Sequence, residues 1–66
     1  MAGILLVNRS ATERIILADF GVDLLAGEEV TRMDLEFSDV TSNAEVRAFM
    51  ASNELDTVDV SHWVVG

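Results

Sequence analysis

The chain has 66 residues, with twelve acids, four arginines, no lysine, one histidine and no cysteine, and a formal charge of −8. That leaves room for one domain, removes disulfides and thiolate metal sites, and argues against nucleic acid or an anionic membrane as partner, since both need clustered Lys and Arg. Half of the residues are hydrophobic and the mean hydropathy is +0.33. A domain this small buries only about 60% of its unfolded surface, so some of this apolar material is expected to pack against another chain. The charge is uneven. Residues 1–33 hold three Arg against five acids, and residues 34–66 hold Arg47 against seven.

No basic n-region precedes the short apolar run at residues 4–7, so no secretion signal is expected. No run approaches the length of a membrane helix. Asn8-Arg9-Ser10 matches the glycosylation sequon but reads as a turn.

In chain order, Ile4-Leu5-Leu6-Val7 is wholly apolar and predicts a strand covered on both faces. Ile15-Ile16-Leu17 predicts a second strand, with residues 4–7 and 13–17 forming a hairpin. Residues 22–25 and 29–35 read as a second hairpin, turned by Gly27, with Met33 and Leu35 facing inward. Residues 37–41 predict a turn of 3₁₀ helix. Ser42-Asn43-Ala44-Glu45 reads as a capping box with Ser42 at the N-cap. Val46, Phe49 and Met50 then share one helical face, so a helix is expected over about 43–52, closed by Asn53 in the left-handed region. Residues 55–65 alternate as a last strand, with His62 on one face and Ser61 and Trp63 on the other. The expected fold is α+β: a small, mainly antiparallel sheet of two hairpins and a C-terminal strand, with one helix.

No chemistry emerges from these residues. His62 and Ser61 face opposite ways on the expected strand, so they make no nucleophile–base pair. The acids at Asp34, Glu36 and Asp39, and at Asp56 and Asp59, lack the glycine turn of a calcium loop and read as a solvated face. Gly21, Gly27 and Gly66 are isolated and make no phosphate-cradling loop. We expect no catalytic residue, metal or cofactor. Interface candidates lie at the two ends of the chain. Ile4, Leu5, Leu6 and Val7 would offer an apolar edge strand unless they form the central strand of the domain's own sheet, and Trp63 with Val65 an aromatic anchor unless Trp63 closes the edge of the domain's own core.

The run from Leu17 to Val30, with Asp19-Phe20-Gly21 and Ala26-Gly27-Glu28-Glu29-Val30, resembles a recurring element of small bacteriophage virion proteins. In those proteins it is followed by an Asp-Leu pair, a short polar stretch, a helix opened by serine and a terminal strand. Here Asp34-Leu35, residues 42–53 and residues 55–60 stand in those places. The resemblance covers residues 12–62, with Phe20 where leucine is usual and Asn53 where glycine is usual. It implies a structural role in a virion, made in the host cytoplasm, with other virion proteins or copies of itself as partners. Residues 6–10 and 23–30 also look like a hairpin in the small C-terminal β-sandwich of some glycoside hydrolases, which implies no catalytic residue here.

Overall fold

In the computed structural model, residues 2–63 are described. β1 (Ile4–Asn8) forms from the apolar run. It buries one face fully and the other partly, and it lies at the centre of a three-stranded antiparallel sheet. Its neighbours are β4 (Glu29–Arg32) and β5 (Leu55–Asp59), in the order β4-β1-β5. Leu6 faces Val30 on one side and Thr57 on the other.

β2 (Ile15–Leu17) and β3 (Val22–Leu24) form a separate two-stranded pair. In both, the outer residues are buried and the central one, Ile16 or Asp23, faces solvent. The α+β class, the antiparallel pairing and the C-terminal strand are as the sequence predicts, but the strands exchange partners. Residues 4–7 pair with β4 and β5 rather than with β2, and β3 pairs with β2 rather than with β4. The turn at Gly27, with φ +75°, reverses the chain where expected. It does not hold β3 and β4 together, because β1 supplies β4 with a more apolar partner.

α1 (Phe37–Thr41) is a single α-helical turn where a 3₁₀ turn is predicted. Ser42 is its C-cap, with helical dihedrals, and the Ser42 hydroxyl donates to the Asp39 carbonyl. Ser42 therefore cannot cap the next helix. The N-cap of α2 (Ala44–Ala51) is Asn43, whose backbone is extended and whose Oδ1 accepts from the Glu45 and Val46 amides at 2.9 and 3.2 Å. At the other end Asn53 has φ +63°. The Asn53 and Glu54 amides donate to the Met50 and Phe49 carbonyls, the paired bonds that close a Schellman end.

One core joins both sheets to the helices: Ile4, Leu6, Ile15, Leu17, Val22, Leu24, Val40, Val46 and Leu55. Each such side chain contributes about 1.5–3 kcal/mol when fully buried. The core also contains a polar residue. Asn8 is 1% exposed. Its Nδ2 donates to the carbonyls of Glu13, Leu24 and Leu25 at 2.8, 3.1 and 3.1 Å, and its Oδ1 accepts from the Ser10 amide. The sequon asparagine thus fastens the end of β1 to the β2–β3 unit.

Gly3 lies where the chain leaves no space. Its φ is +153°, and a Cβ there would come within 3.0 Å of Met33 Cε and 3.1 Å of the Ser61 amide nitrogen.

Candidate protein-binding surface

The surface follows from the direction in which each strand's backbone groups point. The Asn8 amide donates to the Glu28 carbonyl at 2.9 Å. Antiparallel bonding alternates from that pair, so Leu6 bonds toward Val30 and Ile4 toward Arg32. The N–H and C=O groups of Glu29 and Thr31 therefore point away from β1. On the other side the Arg9 amide donates to the Glu54 carbonyl and the Val60 amide to the Gly3 carbonyl. Val7 and Leu5 bond toward Asp56 and Val58, and the groups of Leu55, Thr57 and Asp59 point outward. Neither β4 nor β5 has a second strand neighbour among the described residues. The open edges of the sheet are on β4 and β5, while β1 has none.

This corrects the edge reading of residues 4–7. Ile4 and Leu6 are fully buried in the core. Leu5 and Val7 are half-buried on the opposite face, in register with Thr31, Glu29, Val58 and Asp56. Val58 is 42% exposed, so Leu5, Val7 and Val58 form an apolar strip on the outer face of the sheet. Leu25 (57%) and Ile16 (50%) add exposed apolar area on the β2–β3 unit.

Leu35 packs against the core as expected, but within β4 the inward phase is the reverse of the expected one. Val30 and Arg32 are half-buried and Met33 is 42% exposed. Arg32 can turn inward because its guanidinium is occupied: it donates to the Phe20 carbonyl and, at 2.9 and 2.7 Å, to the Asp34 carboxylate. β5 ends at Asp59, and a 3₁₀ turn at Ser61–Trp63 replaces the predicted continuation. Ser61 and His62 therefore do not alternate across a strand. The Trp63 side chain and Val65 lie outside the described residues.

β3 and β4 splay apart, and a cleft of about 320 Å³ lies between them. Its apolar lining is Val22, Leu24 and Val30; its charged lining is Asp23, Glu28, Glu29 and Arg32. Asp23 is held in a two-pronged ion pair by Arg14, and the Glu28 carboxylate accepts from the Leu25 amide. Arg9 pairs with Asp56 across the β1–β5 end. These hydrogen bonds hold the carboxyls of Asp23 and Asp34 below the usual carboxylate range, and the Ser61 amide does the same for Asp59.

No group of three or more His, Cys, Asp and Glu side chains able to hold a metal ion occurs among the described residues. No helix among them is long and apolar enough to cross a membrane. Sequence reasoning missed Asn8, Arg32, Val58 and Leu25. A polar residue closing an apolar strand was the available signal for Asn8; the other three depend on which strands pair. No family model, curated protein or solved structure matches the chain.

Proposed function

We propose that the chain is a non-catalytic structural or accessory component of a bacteriophage virion, in the head, neck, tail or fibre, acting through protein–protein contacts within a symmetric assembly. The observation that carries the protein-binding part is the pair of open strand edges on β4 and β5 beside exposed Leu25, Ile16, Met33 and Val58. The assignment to a virion rests on the resemblance over residues 12–62. The test is association: purified chain mixed with disrupted virion proteins should enter a discrete, stoichiometric complex, whereas a folded monomer that joins none would overturn the proposal.

A second reading has its own support. Arg9, Arg14 and Arg32 are all tied to acids of the same chain, which leaves a surplus of unneutralised carboxylates. That suits a free-standing acidic module, inhibitor- or antitoxin-like, which masks a basic site. Ionic strength separates the two, because masking weakens steeply with salt and an apolar assembly contact does not.

A further inference from the structure

We propose that the cleft between β3 and β4 receives an extended basic segment of a partner protein, which adds to the β4 edge as a new strand and sets one Lys or Arg side chain into the cleft. The inference rests on the protein-binding reading above and supplies the partner's chemistry.

The backbone provides the first argument. The N–H and C=O groups of Glu29 and Thr31 point outward from β4, which has β1 as its only strand neighbour among the described residues. A strand laid along this edge meets alternating donors and acceptors at the spacing it needs. Side chains of the added strand would alternate, and those on the inner side would lie beside Val30 and Arg32, where the cleft opens.

The lining provides the second. Val30 offers the accessible apolar wall, above the buried Val22 and Leu24, with Asp23, Glu28 and Glu29 around it and the Arg32 charge offset by Asp34. A long side chain with an aliphatic stem and a cationic head matches that arrangement, its stem on the wall and its head among the carboxylates. Glu29 takes part in none of the ion pairs among the described residues. Glu28, also in none of them, is the natural counter-charge: it continues the Val30 phase of β4, Asp23 is held by Arg14, and only one Glu28 oxygen is taken, by the Leu25 amide. At about 320 Å³ the cleft is at the small end of the range for ligand sites, roughly 300–1,000 Å³, which suits one side chain.

Charge argues against a second copy as the occupant. Each chain carries −8 and has no lysine. Arg9, Arg14 and Arg32 are already paired, and Arg47 lies within α2, not on a strand.

The experiment titrates the isotopically labelled full chain with the blocked peptide Thr-Val-Lys-Val-Thr and with its counterpart carrying Glu in place of Lys. The lysine peptide should bind saturably, shifting the Glu29 and Thr31 amides and slowing their exchange while leaving Thr57 on β5 unchanged. The glutamate peptide, and the lysine peptide against Glu28→Lys or Glu28→Gln, should bind about tenfold more weakly or worse. A response centred on Thr57 overturns the cleft assignment but leaves edge binding standing. Equal binding of both peptides, or no saturable response, also overturns it. So does a concentration-dependent shift of Glu29 and Thr31 without peptide, which would make a second copy the occupant. Failure of the protein-binding reading itself would show separately, as a chain that joins no virion complex.

Discussion

The Asn8 side-chain amide donates to the Leu24 carbonyl at 3.1 Å, a bond from the central strand of one sheet to the last residue of the other. β1 and β3 share no backbone ladder, so this amide, with the Arg32 guanidinium on the Phe20 carbonyl, is a polar tie between the two units. Replacing Asn8 with Ala would remove its donor from the buried Leu24 carbonyl and the part-buried Glu13 and Leu25 carbonyls, of which Leu25 keeps the Glu28 amide. Asn8→Ala should cost about 2–3 kcal/mol, a large share of the roughly 5–15 kcal/mol typical of a domain, and Asn8→Asp more, since it places a carboxylate against the same carbonyls. Urea unfolding measures both. The same burial means that the sequon should resist glycosylation in the folded chain, which mass spectrometry after treatment with an oligosaccharyltransferase would check.

Gly3→Ala should be more damaging than Gly27→Ala. A Cβ at Gly3 presses on Met33 and on the Ser61 backbone, and the φ is unfavourable as well; at Gly27 nothing lies within 4 Å and only the positive φ resists. Costs of about 2–3 and about 1 kcal/mol are expected, read as the difference between the two melting curves.

Asn43→Ala should lower stability by about 1 kcal/mol through loss of the two capping bonds, and Ser42→Ala by only a few tenths. The reverse order in thermal unfolding would restore Ser42 as the cap.

Acid should destabilise the fold. Asp23, Asp34 and Asp59 have folded-state pKa values below the ordinary value because arginine or backbone donors favour the carboxylate. A depressed pKa contributes stability that is present above the unfolded value, about 3.9, and is lost as the pH falls through the folded value. Stability should therefore fall progressively below about pH 4, and Asp23→Asn should flatten that fall while lowering stability at pH 7. Unfolding at a series of pH values measures this.

These cases show which features the sequence makes legible. α2 was readable because Val46, Phe49 and Met50 recur at helical spacing and Asn53 tolerates the left-handed region. Its cap moved by one residue because Ser42 had already been taken as the end of α1. Strand positions were readable from apolar runs, but turn residues tell where a chain reverses and not which strands then meet. β1 therefore drew β4 and β5, both distant in sequence. The alternation at residues 29–35 has two phases, and hydrophobicity alone favoured Met33 and Leu35. Leu35, beyond the end of β4, does pack against the core, but within the strand the structure takes the other phase because Arg32 gains the Phe20 carbonyl and the Asp34 carboxylate. Of the proposed binding surface, Leu5 and Val7 were named from the sequence, though as part of an edge strand that β1 is not. Val58, Leu25 and the β4 edge were not, because an edge exists only once the strand order is set.

The central claim is that this domain binds other proteins through its outer strand edges inside a symmetric assembly. The most direct test is an electron-microscopic reconstruction of the particle that contains the chain. We predict the domain at symmetry-related positions with a neighbouring polypeptide running along β4 or β5. A 7.2 kDa monomer absent from every particle, or one seated with both edges facing solvent, would contradict it.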